Sequence, residues 1–394
     1  MKKILFIGGS LEAGKDGVGD YTLKFAGALS AVGYEVALLG IYDRNTEVIH
    51  YDSILGMPCL RIPAAYPWQQ KKELADTFLA DFQPEWIEVQ FVIYAFHAKG
   101  LPFRFLEQFG NWLKDYQPIS FMFHEPWIGR AKGESTKRNL IGAAQRTLIK
   151  RLIRKVSPKS ICTSNSTFQF LLNQIGIEAN VLPLFSNIPV HYGVSQKAEQ
   201  LLLAHGLPPR EERLLLVWFG RIPADWKWQQ LGESLSRYTG SRHLYLMHMG
   251  KASVGDFEKV VARIQEVCPA IQLVKIGSLN EEEVSGVLQC ADAGIAITAP
   301  QIIGKSGVVA AYLAHGLPVM MAGLDEPIKG LPPLAVDQQE ALIPITHNLG
   351  KTLDQLPSFQ LQHHQLQVHV NRWLDAHQLL SPKSNLPNPQ LITP

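Results

Sequence analysis

Short apolar runs alternate with amphipathic helical patterns along the chain. The runs carry few charges and end at glycine, proline or polar turn residues, as buried strands of parallel sheets do. We expect strands at these runs: Lys3–Ile7, Tyr34–Leu39, Trp86–Val92, Ile119–Phe123, Ser160–Ser164, Leu214–Phe219, His243–Met249, Ile271–Ile276, Ala293–Thr298 and Pro318–Met321. Because strands alternate with helices, the pattern predicts an α/β fold with parallel sheets.

The alternation is interrupted in the middle of the chain, at Leu182–Pro189. Two prolines and a Ser-Asn pair replace the periodic pattern there, and the strand–helix alternation restarts beyond it. We therefore predict two Rossmann-like domains, residues 1–185 and 186–358. A helical pattern lies within 359–380, and the proline-rich residues 381–394 are expected to form a loose tail.

Composition narrows the class of protein. The chain has 394 residues, 46% hydrophobic and 18% charged, which suits two ordinary globular domains. A net charge of +2 gives no general attraction for nucleic acid. The four cysteines lack metal or redox spacing and are expected to be buried free thiols. Since no stretch approaches the ~20 apolar residues of a membrane helix, we predict a cytoplasmic protein.

One βαβ unit, residues 293–321, carries a candidate phosphate site. Its loop contains Gly304, Lys305, Ser306 and Gly307, and a small-residue helix follows from Val308. Backbone N–H groups and a lysine at a helix N-terminus suit a phosphate, although a plain connection with a surface lysine would look similar. Residues 299–306 also fit a relaxed Walker A pattern. Proline and isoleucine are too stiff for that cradle, so a P-loop NTPase is kept only as an alternative.

The loop after the first strand is rich in glycine, including Gly17 and Gly19, and Asp20 is placed to cap the next helix. The opening is Rossmann-like, but Thr22 stands where a dinucleotide fingerprint needs its third glycine. A dinucleotide site is therefore disfavoured. The glycines still allow a ligand to approach the backbone closely.

Polar side chains follow several other predicted strands. Tyr94 follows Trp86–Val92, and His124 with Glu125 follows Ile119–Phe123. Loops at the carboxyl edge of a parallel sheet carry function disproportionately. In the second half, Gly220 and Arg221 follow Leu214–Phe219, and Lys227 lies on the same loop. An arginine and a lysine on one loop can bind a diphosphate together.

Two further segments are rich in basic residues or histidines. Residues 130–155 form a predicted amphipathic helix with a cationic face, which suits either solvent or an anionic lipid surface. His363, His364 and His369 lie in the last helical pattern, but no cysteine or acidic partner has ligand spacing. We read these histidines as an exposed polar face and predict no metal site.

The order of these features resembles a known family. The chain resembles the GT-B glycosyltransferases, specifically the family-four retaining group. The features that carry the resemblance are the first loop, His124, the Pro-Ser-Asn linker within Leu182–Pro189, Arg221 and the Gly316–Pro318 turn. The resemblance implies two Rossmann-like domains facing across a cleft, with the helix in 359–380 crossing back to the first domain. The family's two acidic residues fall on Ile303 and Ala311 here, so both carboxylates are missing.

The resemblance also implies a function. It predicts metal-independent transfer of a sugar, with retention, from a UDP- or GDP-linked donor to a hydroxyl of a sugar, lipid or small molecule. No separate cofactor is implied. His124, Arg221 and Lys227 would be the catalytic residues. The residues that bind the donor and its phosphates would be Gly17, Gly19, Gly220, Lys305, Ser306, Gly307 and Val308.

Asp20, Tyr94 and Glu125 would lie on the acceptor side. Residues 130–155 would be the place of any peripheral contact with the inner face of a membrane. A sugar-nucleotide-binding protein without activity, a sugar-nucleotide epimerase and the P-loop NTPase remain alternatives. The missing carboxylates favour the first of these over the others.

Overall fold

The computed structural model describes residues 2–15, 17–220, 226–250, 256–331, 341–356 and 365–379. The chain forms two compact units: the first 183 residues with the segment that starts at Leu366, and Leu184–Gln365. Each unit is built on its own sheet of mainly parallel strands. This confirms the predicted α/β class with two Rossmann-like bodies.

In the first unit the described strands form one eight-stranded sheet in the order β3-β4-β2-β1-β5-β6-β7-β8. Its strands are β1 Lys3–Gly8, β2 Glu35–Asp43, β3 His50–Ile54, β4 Met57–Pro63, β5 Trp86–Val92, β6 Ile119–Glu125, β7 Ser160–Thr163 and β8 Asn180–Val181. The helices are α1 Gly17–Ala31, α2 Trp68–Phe82, α3 Phe103–Leu113, α4 Thr136–Val156 and α5 Ser166–Gln174, with α11 Leu366–Ala376 from the end of the chain. The central strands are almost wholly buried, which explains why their sequences are continuously apolar.

The hairpin of β3 and β4 and the two-residue β8 are strands of this sheet that the sequence pattern does not predict. β3 pairs antiparallel with β4 around Leu55 and Gly56, both of which have positive φ. Its residues are exposed or half-buried, so no apolar run marks the strand. An edge strand of this kind leaves little hydrophobic signal.

Helix α11 packs on α1 within the first unit. The Trp373 ring lies 5.6 Å from Phe25, and His369 lies 4.8 Å from the same ring. Both Trp373 and His369 are buried, so the expectation of an exposed histidine face is wrong for His369. The reason is tertiary: His369 has a specific partner, because the Tyr21 hydroxyl lies 2.7 Å from its Nε2. His363 and His364 lie outside the described residues.

In the second unit the described strands form a six-stranded parallel sheet in the order β11-β10-β9-β12-β13-β14. They are β9 Arg213–Phe219, β10 His243–Met249, β11 Gln272–Gly277, β12 Ala293–Ala296, β13 Val319–Met321 and β14 Leu342–Pro344. The helices are α6 Ser195–Ala204, α7 Trp228–Leu235, α8 Asp256–Val267, α9 Glu281–Cys290 and α10 Gly307–Ala314. Apolar clusters cover both faces of this sheet.

Tyr312 explains the small residues around α10. Its ring lies over Gly294, where an added Cβ would sit 2.4 Å from the ring. Its hydroxyl accepts the Phe219 N–H at 2.8 Å and donates to the Val217 carbonyl at 3.1 Å. The Tyr312 side chain therefore passes over β12 at Gly294 and links α10 to β9 by two hydrogen bonds.

All four cysteines are buried and unpaired, as predicted. Among the helices that the structure describes, none combines the length and the apolar character needed to cross a membrane. The predicted tail, 381–394, lies outside the described residues.

Candidate active site

The carboxyl edge of the first sheet has a switch point between β1 and β5, where the strand order changes direction. Ligands of open parallel sheets bind at such points. The loops after the two strands touch there: a Cβ added to Gly9 would lie 2.7 Å from the Ala95 Cβ. Several of the predicted site residues follow strands at this edge.

The predicted glycine loop is shorter than expected, because α1 begins at Gly17. Gly17 and Gly19 lie in the first turn of the helix, and Asp20 is inside the helix rather than its cap. The Asp20 carboxylate accepts the Gly14 N–H at 2.7 Å and so holds the loop. The prediction that Asp20 caps the helix is wrong. Its place on the acceptor side stays a prediction.

His124 is the next-to-last residue of β6 rather than the first residue after the strand. Its Nε2 is 2.7 Å from the Gln90 Oε1, and its ring meets Tyr21 edge-to-face with centroids 4.8 Å apart. Burial, with a smaller effect of His369, lowers the His124 pKa to about 3. The imidazole is therefore neutral at physiological pH and acts as a hydrogen-bonding group.

Glu125 is held by Arg130. The Arg130 Nη1 lies 3.1 Å from the Glu125 carboxylate and donates to the Trp127 carbonyl at 2.8 Å. Arg130 is 7% exposed, so it does not belong to the cationic face that the sequence predicted for 130–155. The buried Arg130 guanidinium keeps Glu125 in one orientation at the sheet edge.

Tyr94 is half-buried in the short helical turn after β5. Its hydroxyl accepts a hydrogen bond from the Gln145 Nε2 at 3.1 Å. Gln145 is fully buried and also accepts the Ile128 N–H. Tyr94 is thus fixed by α4, and its role on the acceptor side stays a prediction.

A buried polar network that the sequence pattern does not predict lies behind His124. Glu88 is 1% exposed in the middle of β5 and accepts hydrogen bonds from Gln90, Ser120 and the Trp373 indole. Burial raises the Glu88 pKa to about 7 despite these donors. A glutamate and a glutamine inside an otherwise apolar strand were the signal that could have revealed it.

The stability of the first unit should depend on pH because of these groups. Burial lowers the pKa of His124 to about 3 and those of His369 and His377 to about 4. The unfolded chain binds their protons first, so their contribution is complete above pH 6.5 and is lost as the pH falls towards 4. Glu88 has the opposite sign: its contribution is complete below pH 4.5 and is lost as the pH rises to about 7.

Three histidines outweigh one carboxyl, so the free energy of unfolding should fall by a few kcal/mol, in order of magnitude, between about pH 6.5 and 4. Urea unfolding across this range measures it. Glu88→Gln should make the acid loss steeper, because it removes the opposing group. The titratable groups whose pKa the Glu88 charge raises are Tyr21 and Cys162. Unchanged or increased stability in acid would contradict the assignment.

At the carboxyl edge of the second sheet, β9 and β10 are each followed by a glycine with positive φ, and β11 ends at one. These are Gly220 at 101°, Gly250 at 113° and Gly277 at 83°. The Gly220 N–H donates to the Met249 carbonyl, and the Gly250 N–H donates to the Gly277 carbonyl. This edge therefore presents bare backbone, which a ligand can approach closely. Arg221, the predicted diphosphate clamp, lies outside the described residues.

Lys227 is the residue before α7, at the same edge. Its N–H donates to the Ala322 carbonyl at 2.8 Å, and its Nζ lies 3.0 Å from the Asp325 carboxylate. Asp325 follows β13 and has a largely exposed side chain. The contact is a surface ion pair of modest strength, so an anionic ligand can compete for Lys227.

Residues Pro300–Lys305 form a 3₁₀ helix rather than an open phosphate loop. The Ile302 N–H donates to Ala299 and the Ser306 N–H to Ile303, so these groups are already engaged. This speaks against the P-loop alternative. Ser306 caps α10, its hydroxyl accepting the Val309 N–H, and Gly307 begins the helix. Lys305 is half-buried at the end of the 3₁₀ helix.

The structure thus groups the predicted residues into two sets, one in each unit. Around β9, Gly220 is close to Val308: a Cβ added to the glycine would lie 3.7 Å from the valine side chain. Lys227 belongs to the same edge. In the first unit His124 and Glu125 end β6, and Tyr94 follows the neighbouring β5.

The positions that would hold the two family carboxylates are apolar in structure as well as in sequence. Ala311 is 1% exposed, and Ile303 packs on the same hydrophobic cluster. A carboxylate at 311 would be buried in an apolar cluster. Within the described ranges, no group of three or more histidine, cysteine or acidic side chains could hold a metal ion.

Comparison with solved structures identifies the fold. Sucrose-phosphate synthase from Thermosynechococcus elongatus superposes with a TM-score of 0.58 at 14% identity, over 95% of this chain and 94% of that chain. The GT-B fold is confirmed. A glycosyltransferase from Rickettsia africae gives a TM-score of 0.58 at 12% identity, over 97% of this chain and 99% of that one. Anabaena HepE, solved with UDP-glucose, gives 0.55 at 12% identity, over 96% and 100%.

At sequence identities of 12–14%, these similarities establish the GT-B fold alone. No protein-family model matches the chain, and no curated protein matches it in sequence. The assignment of activity to this GT-B chain therefore has to come from its own residues.

Proposed function

We propose that the protein is a glycosyltransferase that moves a sugar from a nucleotide-diphosphate sugar to an acceptor hydroxyl. The observation that carries the proposal is the placement of His124 and Lys227 at the carboxyl edges of their sheets, in a GT-B fold. Lys227 and the backbone N–H groups at the start of α10 would stabilise the departing diphosphate, where negative charge grows in the transition state. Neutral His124 would contact the donor sugar.

The finer details belong to the same proposal. HepE was solved with UDP-glucose, and we propose a UDP- or GDP-linked sugar as the donor here. The Gly316–Pro318 turn and the order of motifs favour the family-four group, with retention and without a metal. The acceptor is a sugar, lipid or small molecule on the side of Asp20, Tyr94 and Glu125.

A cytoplasmic location and peripheral membrane contact through 130–155 are part of the proposal too. Leu140 is 67% exposed on α4 beside exposed Lys137, an arrangement that suits a lipid surface.

A binding protein without activity is the second candidate. The apolar environment of Ala311 favours it, because the family's ribose carboxylate has no counterpart at that position. Such a protein would bind sugar nucleotides and leave them intact. Binding and turnover therefore have to be measured together.

The test is a panel of UDP-, GDP-, ADP- and TDP-sugars, assayed for binding by calorimetry and for hydrolysis or transfer. We expect binding and turnover with one or two of them. Lys227→Ala should raise the Kd for the diphosphate product by about tenfold, because it removes one cation from the phosphates. Lys197→Ala, on the exposed side chain of a lysine in α6, is the matched control and should leave the Kd unchanged. No binding of any donor would overturn the proposal, and binding without turnover would support the second candidate.

A further inference from the structure

Gln90 connects the buried Glu88 with His124. The Gln90 Nε2 lies 3.2 Å from the Glu88 Oε1, and its Oε1 lies 2.7 Å from the His124 Nε2. Gln90 is itself 1% exposed in β5. A buried glutamine between a carboxyl and the proposed sugar-binding histidine can transmit an orientation from one to the other.

The donors around Glu88 decide which way the Gln90 amide points. The Trp86 indole N–H donates to the Ser120 Oγ at 2.7 Å, so the Ser120 hydroxyl proton is directed to the Glu88 Oε2. The Trp373 indole N–H donates to the same oxygen at 3.2 Å. The Oε1 is left to Gln90, and an ionised carboxylate can only accept. With the Glu88 carboxylate ionised, the Gln90 NH₂ group therefore faces Glu88, as the structure places it.

This orientation fixes the tautomer of His124. With its NH₂ group on Glu88, Gln90 presents its carbonyl oxygen to the His124 Nε2. A carbonyl oxygen can only accept, so the imidazole carries its proton on Nε2. The His124 Nδ1 then keeps its lone pair, and among the described residues no hydrogen-bond partner is found for it.

We propose that Gln90 is a positioning residue that holds His124 as the neutral Nε2-protonated tautomer and leaves Nδ1 to accept a hydrogen bond from a hydroxyl of the substrate. Its catalytic consequence depends on the proposed glycosyl transfer, whereas the tautomer itself does not. Glu88 anchors the amide, and Trp373 of α11 anchors Glu88. Helix α11 thus takes part in ordering the site through Trp373.

The test reads the imidazole nitrogens of His124 by two-bond proton–nitrogen correlation on ¹⁵N-labelled protein. The spectrum is recorded at about pH 8.5, where Glu88 is ionised. His124→Gln assigns the signals by their loss. We expect a protonated Nε2 and an unprotonated Nδ1 in the wild type. Gln90→Met, which keeps the volume but cannot accept, should give a mixture of tautomers.

Gln145→Met is the matched control. Gln145 is equally buried in the same unit but bonds Tyr94 and the backbone of Ile128, so its replacement should leave the His124 signals unchanged. A wild-type imidazole protonated on Nδ1, or an unchanged tautomer in Gln90→Met, would overturn the proposal. Should Gln90→Met fail to fold, the wild-type spectrum decides alone.

Kinetics separate this proposal from the proposed function. Gln90→Met should lower kcat by about tenfold to a hundredfold with little change in the donor KM, because it disturbs an orientation rather than a donor contact. A wild type that transfers no sugar would refute the proposed function while the tautomer measurement still stands. A Gln90→Met protein with wild-type kcat, in an active enzyme, would overturn the positioning role.

Discussion

Replacing His124 with alanine is expected to lower kcat by about a hundredfold or more. The physical reason is the loss of a fixed hydrogen-bonding group in a half-buried position at the carboxyl edge of β6. Since the pKa of His124 is about 3, the side chain is neutral throughout the working range of most enzymes. The pH profile of the wild type should therefore show no step from His124 between about pH 5 and 8.

His124→Asn provides a graded comparison. Its amide oxygen can occupy roughly the place of Nδ1, so this variant should lose less activity than His124→Ala. His243→Ala changes an exposed histidine at the start of β10 and should retain full activity. Steady-state assays with the donor found in the panel measure all three. Equal activity in His124→Ala and the wild type would remove His124 from the site.

Trp373→Ala is expected to lower the free energy of unfolding of the first unit by about 3–5 kcal/mol. Trp373 is fully buried between Phe25 and Trp86, and its indole donates to Glu88. Its removal leaves a cavity and takes one of the hydrogen bonds from a buried carboxyl. Because the loss arises in this network, amide hydrogen exchange should increase in α1 and β5.

Phe103→Ala is the control for Trp373→Ala. Phe103 lies in the same unit but is 51% exposed at the start of α3, so its loss should cost about 1 kcal/mol or less. Urea unfolding followed by circular dichroism compares the variants. A Trp373→Ala protein as stable as Phe103→Ala would show that α11 contributes little to the first unit.

The predicted strands illustrate what apolar runs can reveal. β5 and β10 have the predicted bounds, since both are buried on two faces. β6 extends two residues further than predicted, because Glu125 pairs with Val92 of β5 after a register shift that leaves His124 unpaired in the ladder. β3 was missed because an edge strand with exposed residues has no apolar pattern.

The candidate site was predictable to a lesser extent. That polar residues follow the strands could be read from sequence, because the carboxyl ends of parallel strands share one edge. Their distant partners could not: Asp325 binds Lys227, and Gln145 binds Tyr94, across separations that no local pattern encodes. Asp20 was misplaced because two of the first three residues of α1 are glycines, which carry little helix signal.

By itself, the sequence determined the α/β class, the two-body architecture and the strands at whose ends the chemistry lies. Hydrophobic periodicity records these, since burial is a property of each segment. Only the tertiary structure decided that Glu88, Gln90, His124 and Trp373 form one network. Those hydrogen bonds join residues up to 285 positions apart, and their direction depends on which donors converge on a single buried carboxyl.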